Sequence, residues 1–195
     1  MTRRTITDPE VMALANISGV LQAEYAAEEL AWVGSPLAWI KTRPSRQVGA
    51  IGEKLVAGWL AAKGFDVVRS PDSDADRVIN GRRVEIKFST LWQNGIYRFQ
   101  QLRDQNYEFM IGLGVSPFDA HCWIIPKREL MTRWRSAVRE GREVDGVRPQ
   151  HGGSAGRDTA WLTFDASSPW PWMADHGGAL AVAAKKVPRR RSGGA

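Results

Sequence analysis

The sequence predicts a mixed β-sheet with helices packed against it, an α/β or α+β domain, and three observations carry that reading. Two long stretches, about residues 8–32 and 45–64, place apolar residues at three- and four-residue intervals, the spacing of a helix face. Residues 77–88 switch to period-two alternation, interrupted by Asn80-Gly81. Two apolar runs, "YEFMIGLGVS" and "AHCWIIP", then precede a basic amphipathic stretch and a further strand-like run, so the element types are interleaved along the chain.

"TDPEVMALANISGVLQAEYAAEELAWV" opens the first helix with a capping candidate, a proline in the first turn and an early acid, and Gly34 ends it. "SPLAWIK" predicts a short helix capped by Ser35, with Pro36 at its first position. In "SRQVGAIGEKLVAGWLAAKGF", Ser45 is the expected cap and Gly64 the stop, and Val48, Ile51, Leu55, Trp59 and Leu60 form the expected core stripe, with Glu53 off it. "FDVVRS" predicts a first strand and "PDSDA" a turn. "YRFQQLRDQN" is expected to be a polar helix turn or loop, "KRELMTRWRSAVREG" a helix, "VRPQHGGSAGRDT" a glycine-rich loop and "AWLTFD" a last strand. These elements divide into an N-terminal helical extension (1–44), a core (45–173) and a basic low-complexity tail (174–195) expected to be disordered.

The chain has 195 residues, enough for one good core, and a net charge of +6. A basic surface favours a polyanion. No apolar run approaches the roughly 20 residues of a spanning helix and the start lacks the apolar stretch of a signal peptide, so DNA is preferred to a membrane and the cytoplasm of a bacterial, phage or archaeal cell is the expected compartment. The single cysteine, Cys122, stands in "HCWII" and is expected to be a buried, inert thiol.

Asn-Gly between alternating runs predicts a two-residue type I′ hairpin, because both residues tolerate positive φ. The register follows: Ile79 opposite Arg82, Val78 opposite Arg83, Arg77 opposite Val84, and Asp76 opposite Glu85. Asp76, Val78, Arg83, Glu85 and Lys87 then share one face, while Arg77, Ile79, Val84, Ile86 and Phe88 take the buried one. Two carboxylates thus oppose each other at a cross-strand Cβ spacing of roughly 5 Å, where like charges repel unless neutralised. A divalent cation would neutralise them, and Mg²⁺ accepts one or two carboxylates together with water and phosphate oxygens. With Lys87 on the same face, the set suits metal-assisted phosphodiester hydrolysis.

Asp76 followed by Glu85-Ile86-Lys87 resembles the D…ExK signature of the PD-(D/E)XK nuclease superfamily, which includes many type II restriction endonucleases. The resemblance spans about residues 45–126, and a glutamate such as Glu53 in the preceding helix also fits it. It implies a restriction-endonuclease-like fold and Mg²⁺ (with Mn²⁺ as a substitute) held by Asp76, Glu85 and the backbone carbonyl of Ile86. Lys87 would be the catalytic lysine, Glu53 would support the metal shell and Gln101 would contact water or phosphate. The implied partners are double-stranded DNA and a second copy in a homodimer, for which the N-terminal helices with Trp32 and Trp39 are the candidate interface; a cognate methyltransferase would accompany a restriction enzyme but leaves no trace in this chain. There is one departure. The family's Pro-Asp dipeptide stands here as Pro71-Asp72, so Asp72 and Asp74 rival Asp76, which register favours.

Bland readings stand beside these. An E-x-K triplet on a strand is often a surface ion pair, and Glu53 has Lys54 and Lys63 as helix partners. Arg83, Gln150, His151, Arg157, Arg133 and Arg135 are candidate DNA contacts, since Gln and Arg match adenine and guanine edges; the alternative is a solvated helix face or surface loop. A sequence-specific restriction endonuclease is the leading expectation. A repair, junction-resolving or homing nuclease on the same fold and a non-catalytic DNA-binding protein remain alternatives.

Overall fold

The computed structural model describes residues 6–152 and 158–189. Its centre is a mixed six-stranded sheet in the order β1-β2-β3-β5-β6-β9, made of Val67–Arg69 (β1), Arg77–Ile79 (β2), Arg82–Thr90 (β3), Phe109–Val115 (β5), Ala120–Pro126 (β6) and Gly177–Ala179 (β9). Only β3 and β5 run parallel. A second, antiparallel sheet is ordered β4-β8-β7, from Ile96–Leu102 (β4), Val147–Gln150 (β7) and Thr159–Asp165 (β8).

Two apolar layers follow from this. One face of the central sheet packs against Ser45–Ala62 (α3) and Leu180–Lys186 (α5), burying Val56, Leu60, Val84, Ile86, Ile111, Cys122, Ile124 and Ala183. The other packs on the second sheet and Lys127–Glu140 (α4), burying Tyr97, Phe99, Met110, Trp123, Ile125, Leu162 and Phe164. The fold is thus a mixed α/β architecture in which helices flank a central mixed sheet.

At the Asn80-Gly81 hairpin both φ angles are positive, at 50° and 74°, and the pairs Arg77↔Val84, Val78↔Arg83 and Ile79↔Arg82 follow the predicted register. Asp8 Oδ1 accepts the amides of Glu10 and Val11 at the start of Pro9–Ala31 (α1). The short helix Ala38–Lys41 (α2) begins later than expected, with Ser35 Oγ accepting the Leu37 amide before it. Ser45 is the first residue of α3 and makes no capping bond; Pro44, with φ −55°, sets the entry.

Several expectations need correction. "IYRFQQL" is strand β4, because Tyr97, Phe99 and Leu102 face one core while the glutamines face outward, and "VRPQ" is strand β7, with Val147 buried. A bulge between Phe99 and Leu102, with Gln101 at φ 55°, breaks the period-two count that would have marked β4. The core face of α3 centres on Gly52, Val56 and Leu60, with Val48, Ile51 and Leu55 only half-buried. Residues 177–186 of the expected disordered tail form β9 and α5: Leu180, Ala183, Ala184 and Val187 fall at i, i+3, i+4 and i+7 and pack on the sheet. The Asn80 amide donates to Pro188 O and anchors that segment. No described helix is long and apolar enough to cross a membrane.

Gly52 sets how closely α3 approaches the sheet, since a Cβ there would sit 2.2 Å from the Phe88 Cβ. Gly52→Ala should therefore lower stability by about 1–3 kcal/mol, read as a reduced denaturation midpoint.

Candidate functional site

The site begins where β3 outruns its neighbour. β2 pairs with β3 only as far as Val84, whereas β3 continues along β5 to Thr90. Beyond Val84 the open edge is met by one side chain. Asp76 donates its amide to Val84 O at 2.9 Å, and its Oδ2 accepts the Ile86 N–H at 2.7 Å. The carboxylate thus replaces a missing strand partner and is held against the edge of β3.

Glu85 is 1% exposed, because the second layer covers its face of the sheet beside Met110 and Tyr107. The sequence placed this face toward solvent; the second sheet and the 103–107 segment close it. Glu85 Oε1 lies 2.6 Å from Lys87 Nζ, and Oε2 is buried without a hydrogen-bond partner among the described residues. Burial raises the Glu85 pKa, the Lys87 ammonium opposes that, and the Asp76 charge adds to it. The ammonium therefore already supplies positive charge beside the acid pair, a role the sequence assigned to a metal. The Tyr107 hydroxyl is likewise buried without a partner, and burial, followed by the Glu85 charge, raises its pKa.

Glu53, on α3, comes to the same place. Its Oε2 lies 3.7 Å from Arg77 Nη1, so its partner is Arg77 rather than Lys54 or Lys63. Burial is the main cause of its raised pKa, with the Asp76 charge second and Arg77 and Lys87 pulling the other way.

These groups border an open cleft of about 900 Å³. Its floor is Ile86–Thr90 of β3, one wall runs from α2 into α3, and the other is β4. Six cations line it (Lys41, Arg43, Arg46, Lys87, Arg98 and Arg103) against two acids, Glu53 and Asp76. Of the three rival aspartates only Asp76 lines the cleft. Asp72 is bound by both terminal nitrogens of Arg83, and Asp74 faces the Gln105 amide.

Gln101 also borders the cleft, presented with Gln100 by the β4 bulge. The remaining candidates do not converge there. Arg83 is tied to Asp72, and its Nε donates to Asn106 O. Arg133 is not on a solvated face: its guanidinium lies 4.0 Å from the Trp172 ring centre and pairs with Glu129 at 3.0 Å. Arg135 is exposed on α4 away from the cleft. Gln150 ends β7, and His151 lies beside it with Nδ1 3.4 Å from Asp158. Arg157 falls outside the described residues.

Arg43, Arg46, Arg98, Gln100 and Arg103 were missed. A strand assignment for "YRFQQLR" would have found the last three, since Arg98 and Gln100 alternate with the core residues Tyr97 and Phe99.

A hard divalent cation suits a pair of carboxylates completed by water and substrate oxygens. Asp76, Glu85 with its unpartnered Oε2, and Glu53 are the residues able to hold one. Among the described residues no three acid, histidine or cysteine side chains already converge as a metal cluster.

No protein-family model matches the chain, and neither does any curated protein. Among solved structures, a bacterial homing endonuclease, I-Ssp6803I, is similar at 15% identity over 74% of this chain and 94% of that one, with a TM-score of 0.42. At that score the likeness carries no weight for function.

Because Glu53 and Glu85 titrate above their ordinary value of 4.5, the folded state keeps their protons to higher pH than the unfolded chain does. Their contribution to stability is complete below that value and lost as pH rises through the raised folded-state pKa values. Denaturation midpoints measured from about pH 4 to 8 should fall relative to Glu53→Gln/Glu85→Gln, whose profile is flatter.

Proposed function

We propose that the chain is a metal-dependent endonuclease that hydrolyses phosphodiester bonds in double-stranded DNA, of the PD-(D/E)XK type and with restriction-like sequence specificity. One observation carries this reading: Asp76 and Lys87 at the floor and Glu53 on the adjoining α3 wall border one cleft whose charged lining is mainly cationic, with Glu85 buried beside Lys87. A solvated E-x-K surface pair would have neither the burial nor the enclosing walls.

The cationic walls draw the phosphate backbone in, and the released counterions make that binding salt-sensitive. A bound Mg²⁺ would supply a water of lowered pKa and screen the charge that develops on phosphorus. The protein's part is positional. Asp76 is fixed by the Ile86 amide, and Glu85 is preset by burial. Lys87, 16% exposed at its side chain, stands between Glu85 and the cleft, where its ammonium orients an attacking water or stabilises phosphorane charge. Gln101 offers an amide to phosphate or water from the opposite wall.

One site cuts one strand, so double-strand cleavage calls for a homodimer. The surface best suited to it is α1, whose Val11, Leu14, Ile17 and Val20 are exposed, rather than Trp32, which is buried. Trp39 is exposed and remains available to that interface.

The Lys87–Glu85 pair also favours a second reading, a DNA-binding protein whose ammonium has taken over the neutralising role of a metal. Plasmid DNA with Mg²⁺ separates the two. The nuclease yields Mg²⁺-dependent, EDTA-sensitive cuts, and Lys87→Ala should slow them at least about 100-fold. Asp76→Asn keeps an oxygen to accept the Ile86 amide, so it should fold and yet lose cleavage. Plasmid left uncut but retarded on a gel by wild type and variants alike would favour the binding reading.

A further inference from the structure

Between β3 and β4 the chain turns through "LWQNG", residues 91–95, at the mouth of the cleft. The turn is fastened from within: Trp92 N–H donates to Ile96 O at 3.0 Å, Gly95 N–H donates to Trp92 O at 2.9 Å, and Gly95 adopts φ 76°. Its base is tied to the second sheet, where the Ala166 amide donates to Gly95 O. Arg98, one strand position inward, lies 4.5 Å from the Trp92 ring centre and 5.3 Å from that of Trp161, a guanidinium set between two indoles. The base of the turn is therefore fastened to the fold on both sides.

At this tip Trp92 is 44% exposed, and Gln93 and Asn94 are exposed beside it. Among the described residues, no protein hydrogen bond engages either amide side chain. A turn fastened at its base that presents two unengaged carboxamides and an aromatic face, next to a basic cleft, has the chemistry of base-edge recognition. Gln and Asn each match the N6 and N7 of adenine bidentately, and both of those atoms lie on the major-groove edge. Arg98, steadied on Trp92, supplies the adjacent phosphate contact that sets register without carrying sequence information.

We infer that the 91–95 turn is a specificity element of this protein, with Gln93 and Asn94 contacting base edges in the major groove of duplex DNA while the backbone lies in the cleft. The inference rests on the endonuclease reading above and adds the part of the substrate that the site distinguishes. Geometry also bounds which bases are read. Lys87 and Gln93 are six positions apart, at most roughly 20 Å of extended backbone, or about six base-pair steps. Adding the reach of the two side chains, the positions read by the turn lie within about one turn of duplex of the cut.

The test is selection from a duplex library with a randomised central block, by binding and separately by Mg²⁺-dependent cleavage, for wild type and Gln93→Ala/Asn94→Ala. Neither amide is engaged in the folded chain, so the variant should melt at the wild-type temperature. Wild type should enrich defined bases near the cut, and the variant should lose that preference by about fivefold to a hundredfold at a few contiguous positions, with the others retained. The same enriched sequence from both proteins would overturn the inference and leave the nuclease reading standing. Binding without cleavage, but with the position-specific loss, would sustain the turn's role and sink the nuclease reading. No enrichment by wild type in either arm would overturn the inference outright.

Discussion

The hydrogen bond from the Ile86 amide to Asp76 Oδ2 is the constraint on which the rest of the site depends. A strand that outlasts its neighbour leaves backbone donors that must find a partner. Here the partner is a carboxylate, so satisfying the sheet edge and placing an acid at the cleft are one event. The segment before it is held in turn by Asp72, which binds Arg83 on the opposing strand through both oxygens. Asp72 is therefore more than a failed rival for a metal site. It fixes the approach of the chain, and Asp76 arrives at the edge because Asp72 is tied down four residues earlier.

Glu85 carries the main energetic penalty of the arrangement. A carboxylate that is 1% exposed resists ionisation, and an ammonium at 2.6 Å offsets only part of that cost. Among the described residues, neither its second oxygen nor the Tyr107 hydroxyl has a hydrogen-bond partner, in a region otherwise filled by apolar side chains such as Met110 and Leu102. Local inconsistency of this kind is where stability is most often traded for function, because an apolar residue at position 85 would pack without penalty. A solvated ion pair on a strand would show no such tension.

Much of the backbone was legible because its signals are local. Asn80-Gly81 determines the hairpin register through positive φ, and Asp8 and Gly64 mark helix ends, whereas the expected cap Ser45 gives way to Pro44. The covering of Glu85 was not legible, since it depends on a sheet assembled from residues 96–102, 147–150 and 159–165, which local patterning does not bring together. Strand β4 was hidden by its own bulge, where two consecutive glutamines interrupt the alternation of Tyr97, Phe99 and Leu102. The C-terminal helix was hidden by alanine. Leu180, Ala183, Ala184 and Val187 have helical spacing but little bulk, and their neighbours in sequence are lysines and arginines.

Charge divides the cleft in a way that bears on how a substrate would enter. Asp76 lies at its floor with Glu53 beside it on α3, and five of the six cations that line it among the described residues stand on its walls, at Lys41, Arg43, Arg46, Arg98 and Arg103. A polyanion meets the walls first, and its contacts there offset the repulsion from the floor. The two walls come from separate parts of the fold, α2–α3 on one side and β4 on the other, so their spacing is set by what lies between them. That spacer is β3, pressed against α3 at Gly52 and continued into β4 through the 91–95 turn. Side-chain volume at position 52 thus governs the distance between two cationic walls and the acid floor they enclose. A helix that rode higher on the sheet would carry Glu53 and Arg46 away together, separating the acid from Asp76 at the same moment as it widened the groove.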